Sequence, residues 1–235
     1  MKKILAFTLA ETLIVMGIIG IVSALTLPNL NSSTGEKEKV AKVKKIYQNL
    51  NDAVGRAQAV YGPFNEWFSA DGNATLQTTR FTERVTEFMK VSKNCGKNTG
   101  CWSTAPLLHS NGEVNVSNNH FQSLQSDKKS NFVLLADGIA LAINVSGNYV
   151  KFRVDIDGPN KGKTQEGSDI FDFTIASVSI DDTLAPFQLT PSSEPSAWKN
   201  NLIINYETAW VIKNDNLDYL KCLDKLNWET KITCK

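Results

Sequence analysis

The chain has 235 residues, of which 25 are basic and 24 acidic, for a formal net charge of +1. A balance this even excludes a field that would gather nucleic acid or an anionic surface by charge alone. With 42% hydrophobic residues and five Trp, the chain can bury the core of one domain of moderate size.

The chain opens on a short basic leader, Met1–Ala6 (MKKILA), followed by FTLAETLIVMGIIGIVSALTLP, Phe7 to Pro28. From Phe7 to Leu27 there is one ionisable residue, Glu11, in 21 otherwise apolar or small residues. As an α-helix this run is roughly 30 Å long, about the thickness of a bilayer's hydrocarbon core. A lone carboxylate in such a helix costs on the order of 2.5–3.5 kcal/mol near the centre and less near an end, which marks Glu11 as a functional residue in need of a partner. Ala10, Gly17, Gly20 and Ala24 fall on one helical face, where small side chains let helices approach closely. Lys2 and Lys3 flank the run on one side. Lys37, Lys39, Lys42, Lys44 and Lys45 lie beyond it on the other, so a count of basic residues by itself would leave the bulk of the chain cytoplasmic.

The leader, the small residue and FTLAETLIVMGIIGIV together resemble the class III signal of type IV pilins and type II secretion pseudopilins. The resemblance covers about the first 30 residues. It implies that a prepilin peptidase cuts between Ala6 and Phe7 and methylates the new amino terminus. Ala6 stands where the family usually has Gly. Glu11 takes the place of the family's Glu near the start of the mature chain, and Pro28 that of its helix-kinking proline. In a staggered bundle, the Glu11 carboxylate of one subunit would pair with the Phe7 ammonium of the next, offsetting the desolvation of both. The implied fold is α+β, a long N-terminal helix packed across a small antiparallel sheet. The implied partners are other pilin or pseudopilin subunits, the prepilin peptidase, an inner-membrane assembly platform, and lipid before assembly. The implied location is the bacterial inner membrane, single-pass with an extracytoplasmic head, and then a cell-surface or periplasmic filament.

Three other readings compete. The chain can be a minor, tip-located subunit whose head binds a ligand. An ordinary signal peptide cut after Val22-Ser23-Ala24 would release a secreted binding protein. A plain membrane anchor is the third.

The organisation expected is a leader over 1–6, a membrane or filament-core helix over 7–28, a kinked linker and amphipathic helix over 29–61, and a globular head over 62–235. Pro28 to Gly35 is poor in helix formers and is expected to be the weak link, with Ser33 and Glu36 as a capping box that restarts the helix. Val40, Val43, Ile46, Leu50, Val54, Ala57 and Tyr61 recur at helical spacing, and Gly62-Pro63 ends the pattern. The five lysines read as its solvated face.

After an irregular stretch with Trp67 and a turn at Asp71-Gly72-Asn73, Phe81, Val85 and Phe88 mark a short helix. Residues 105–130, rich in Ser and Asn, read as exposed turns. Phe132 to Ala136, Ile139 to Val145, Tyr149 to Ile156 and Ile170 to Val178 read as strands, with turns at Asp137-Gly138 and Gly147-Asn148. In the third of these Lys151, Arg153 and Asp155 alternate with apolar residues, which predicts one wet face. Residues 183–196 form a loop. Leu202 to Tyr206 and Thr208 to Ile212 read as further strands, and Tyr219 to Leu226 as a turn of helix.

Cys95, Cys101, Cys222 and Cys234 are even in number and lack the spacing of zinc ligands. In an exported domain they read as disulfides, most simply Cys95–Cys101 and Cys222–Cys234, with two other connectivities open. No catalytic constellation is legible, and the chain reads as non-enzymatic. His109 and His120 lack partners in sequence and read as surface residues. Gly158 to Thr164 is one residue short of a phosphate-binding loop. Asp155, Asp157, Asn160 and Asp169 bracket a loop between strands and form a weak Ca2+ candidate, against the simpler reading of a turn built for its backbone.

Overall fold

Val40, Val43, Ile46, Leu50, Val54 and Ala57 form a buried stripe along helix α1 (Leu9–Tyr61). Their spacing of three and four residues places them on one face, and burying that face is what holds the helix to the head. The architecture is that of a computed structural model, which describes residues 9–63, 66–67, 73–98, 100–114, 129–146, 149–159, 161–175, 189–190, 206–227 and 230–234. The side chains of 23–33 are outside that description. The chain forms two compact units, Met1–Glu38 and Lys39–Lys235. The amphipathic part of α1 therefore belongs to the head from Lys39 onward.

The head is an α+β unit. Helix α2 (Ala74–Thr86) is followed by strands β1 (Val91–Gly96), β2 (Ser130–Leu135), β3 (Ala140–Ser146), β4 (Tyr149–Asp155), β5 (Ile170–Ile175) and β6 (Leu189–Thr190). All pair antiparallel in chain order, β1-β2-β3-β4-β5-β6. Helices α3 (Tyr206–Asn214) and α4 (Tyr219–Cys222) and a 3-10 turn (Leu223–Lys225) follow.

Period-two alternation gives the sheet two different faces. Val133, Leu141, Ile143, Val150, Phe152, Val154, Phe171 and Phe173 meet α1 and α2 in the main core. Phe152 also contacts Phe81 of α2 (5.8 Å between ring centroids), and Phe173 stacks on Tyr47 of α1 (5.9 Å). The opposite face carries a smaller cluster, with Cys95, Cys101, Trp102, Leu107, Phe132, Ala140, Ala142 and Ile170. Asn73 caps α2 by accepting from the Leu76 N–H at 3.1 Å, which satisfies one of the orphan donors of a helix start. Gly62 closes α1 with φ of 81° and an N–H donated to the Gln58 carbonyl, the left-handed ending that Gly permits.

The structure departs from the sequence reading in several places. Residues 28–35 are helical within α1, so the helix is not restarted by a Ser33/Glu36 box. A proline in a helix interior removes one hydrogen bond, and long helical flanks on both sides carry the chain through it. Thr208 to Ile212 lies inside α3, not in a strand. Glu207, Thr208, Trp210 and Val211 are its buried residues, a helical rather than an alternating pattern. Residues 202–205 lie outside the described residues. Strand β1 was not expected, because an edge strand with Ser92, Lys93 and Asn94 exposed has no apolar alternation to reveal it. Within 105–114, Leu107 is buried rather than exposed, while 115–128 are not described. The expected wet face of β4 is covered, with Arg153 3% and Asp155 0% exposed.

Candidate functional site

The first candidate surface is the start of α1. Leu9, Leu13, Ile14, Val15, Met16, Ile18, Ile19, Ile21 and Val22 are all large, apolar and 53–80% exposed. Glu11 is exposed in the same stretch, and the Thr12 hydroxyl donates to the Leu9 carbonyl at 2.9 Å. Ala10, Gly17 and Gly20 are exposed as well, and a Cβ built on Gly17 or Gly20 meets nothing within 4 Å. Ala6 and Phe7, together with the side chains of Ala24 and Pro28, lie outside the described residues, and so does the expected Phe7–Glu11 pairing. Among the described residues no helix is long and apolar enough to cross a membrane. The described apolar part of α1 is Leu9–Val22, shorter than the span read from Phe7 to Leu27.

Four of the five lysines read as a solvated face are paired with acids of the head. Lys39 contacts Asp169, with Asp157 at 3.8 Å. Lys42 bonds Asp157 at 3.0 Å, Lys45 bonds Asp137 at 2.9 Å, and Lys44 pairs with Asp215. One helix is thus tied to the β2–β3 turn, the β4–β5 loop and the end of α3.

The same contacts involve the residues of the weak Ca2+ candidate. Asp155, Asp157 and Asp169 do lie close together, but the Lys39 ammonium sits between Asp157 and Asp169. Asp169 also accepts from the Lys163 N–H, and Asp155 from the Gly158 N–H at 2.9 Å and the Asp157 N–H at 3.1 Å. Burial works against the Asp169 charge, yet Lys39 and the Lys163 amide outweigh it and hold its pKa low. Burial, with Asp169 and Asp157 adding to it, pushes Asp155 up to about 6. Asn160 lies outside the described residues. Among the described residues no group of three or more His, Cys, Asp or Glu is placed to hold a metal ion.

A third cluster lies on the opposite face of the sheet, where no site was read from sequence. Arg153 of β4 and Asp172 of β5 are paired in register and form two hydrogen bonds of 2.6 Å. Lys151 adds a contact to Asp172 at 3.2 Å. Glu166 bonds His109 Nδ1 at 3.1 Å and lies 3.9 Å from Arg153. Its other oxygen, Oε1, is buried without a hydrogen-bond partner. Glu207 of α3 approaches from the side, over Gly167. A Cβ on Gly167 (φ 72°) would fall within 3.0 Å of Glu207 and Tyr219 atoms, so glycine is required by both backbone and space. The Tyr219 hydroxyl donates to the Gly167 carbonyl. Burial pushes Glu207 up to about 7 and also raises Glu166, against the pull of Arg153 and His109. The legible signal was charge order: cations alternating along one strand, with an acid at the matching place on the next.

Both disulfides take the simplest pairing, Cys95–Cys101 and Cys222–Cys234, with Cα atoms 6.0 and 5.8 Å apart. His109 is partnered by Glu166, and His120 is not described. After Gly162-Lys163-Thr164 the chain enters a turn and then β5 rather than the helix a phosphate-binding loop needs. No family model, curated protein or solved structure matches this chain.

Proposed function

We propose that the protein is a non-enzymatic structural subunit of a type IV pilus-like or type II secretion pseudopilus filament, processed before Phe7 and polymerised through its N-terminal helix. The observation that carries this reading is the run of nine large apolar side chains exposed over Leu9–Val22. Removing such side chains from water is worth ~1.5–3 kcal/mol each when complete, so this surface requires a cover of lipid or protein. The signal motif supports a cover that changes: lipid before assembly, neighbouring helices afterwards. Gly17 and Gly20 supply the bare surface for close approach. In the filament Glu11 would pair with the freed Phe7 amino terminus of an adjacent subunit. The head remains outside the inner membrane, where its two disulfides are stable.

The test is the mass of the protein recovered from its host, together with Glu11→Val. A mature chain beginning at Phe7 is expected, and Glu11→Val is expected to enter the membrane but not to assemble. A mass lacking the first 24 residues, or normal fibre yield from the variant, overturns the proposal.

A further inference from the structure

We propose that the groove between α1 and the two turns at 88–90 and 135–137 is a docking site for an extended segment of a partner protein in which acidic and apolar side chains alternate. This inference concerns the head alone and does not rest on the filament reading.

The groove follows from how α1 packs. The buried stripe holds the helix to the head, and Lys45, Asn49, Asp52 and Arg56 recur along one side of it at helical spacing, forming one wall. The facing wall is the two turns fastened together, since the Ala136 N–H donates to the Lys90 carbonyl at 2.8 Å. Lys45 reaches across to Asp137 at 2.9 Å and joins the walls at one end. Between them lies a cavity of about 530 Å³, a volume ordinary for a ligand site. Phe88 and Met89, half-buried against the main core, and Leu135, almost fully buried, supply its apolar lining.

Shape and charge select the occupant. From Lys45 to Arg56 the helix rises about 16 Å, the length of about five residues of extended chain. Extended chain turns alternate side chains to opposite sides, so one set meets Phe88, Met89 and Leu135 while the other meets the rim. The rim carries three cations, Lys45, Arg56 and Lys90, and two acids, Asp52 and Asp137. Both acids are already answered, Asp137 by Lys45 and Asp52 by the Arg56 Nε at 3.1 Å. Lys90 is exposed, and its ammonium has no ion pair among the described residues. It is the cation left over, so a carboxylate on the incoming segment is attracted and an ammonium repelled. Asn49 is also exposed, and its side chain has no hydrogen bond among the described residues. Its amide can donate to and accept from the backbone of the incoming segment.

The test is a titration of the full chain, held in nanodiscs of neutral lipid, with three acetylated heptapeptides. One alternates Glu with Leu, one Lys with Leu, and one Glu with Ser. The Glu/Leu peptide is expected to shift the methyl signals of Met89, Leu135 and Ala136 saturably, with a midpoint below about 1 mM, and the other two to leave them in place. Lys90→Gln is expected to weaken that binding about two- to fivefold, the worth of one exposed ion pair. Asn49→Trp, which fills the groove from an exposed position, is expected to abolish it. Dodecanoate is expected not to displace the peptide. No shift at millimolar peptide, an equal response to either control peptide, or undiminished binding in Asn49→Trp overturns the proposal. So does a tighter hold on dodecanoate, which would make the groove a fatty-acid site, or loss of peptide binding as the protein concentration rises, the mark of a second copy in the groove.

Discussion

Arg153 and Asp172 occupy matching positions on neighbouring strands and join through two hydrogen bonds of 2.6 Å, with neither residue more than 3% exposed. Breaking such a pair on one side leaves a bare charge in the interior, which costs ~3–5 kcal/mol, whereas replacing both partners by apolar groups of similar volume is often neutral. Arg153→Met is therefore expected to lower the urea midpoint sharply, and Arg153→Met with Asp172→Leu to recover a large part of it. A double variant as unstable as the sum of its two single variants would refute this account.

Lys39 stands where a cation would have to sit between Asp157 and Asp169. Millimolar calcium is therefore expected to leave the melting temperature of the head unchanged, and a rise of several degrees would count against it. Lys39→Ala is expected to destabilise by ~1–3 kcal/mol through the uncompensated Asp169, which is almost fully buried.

The pH profile follows from two opposed sets of carboxylates. Glu207 is raised from 4.5 to about 7 and Asp155 from 3.8 to about 6, both chiefly by burial. A raised group binds more protons folded than unfolded, so its stabilisation is complete in acid and is lost as pH climbs through the folded value. Burial opposes the charges of Asp169 and Asp172, yet their cationic partners hold both below 3.8. Their stabilisation is present above the ordinary value and disappears as pH falls through the folded one. Denaturant titrations are expected to show a maximum near pH 4–5, and a decline on the order of a few kcal/mol by pH 8. A curve that rises from pH 4.5 to 7 would disprove the assignment.

The Cys222–Cys234 bond joins α4 to the C-terminal segment over a separation of 12 residues. Loop-closure entropy makes such a link worth about 3 kcal/mol, and about 2 for the shorter Cys95–Cys101 loop. Replacing both cysteines of the first pair by Ser should cost more in thermal unfolding than replacing both of the second. The reverse order would show that anchoring the segment over the small cluster outweighs chain entropy.

How far this fold was legible depended on periodicity. The stripe from Val40 to Ala57 and the alternation of Val150, Phe152 and Val154 identify a helix and a strand because one face of each is apolar. Strand β1 escaped because its exposed Ser92, Lys93 and Asn94 leave nothing to alternate. Thr208 to Ile212 misled because β-branched and aromatic residues suit strands locally, while tertiary packing of Trp210 and Val211 imposed a helix. The acids at the β4–β5 loop were recognised as a group, but Lys39 and Lys42 lie more than a hundred residues away, and sequence alone does not pair them. Around Arg153 the charge order of two neighbouring strands was open to reading, but Glu166 and Glu207 lie outside those strands and no local pattern joins them to the pair.

Four lysines within two turns of α1 grip acids in three separate parts of the head. A pull along that helix is consequently shared among several anchorages, instead of being borne by the greasy stripe alone. Those anchorages are electrostatic, so the load they carry should fall as ionic strength rises. Stretching the head by its helix in dilute and in concentrated salt would separate the part of its mechanical strength held by charge from the part held by packing.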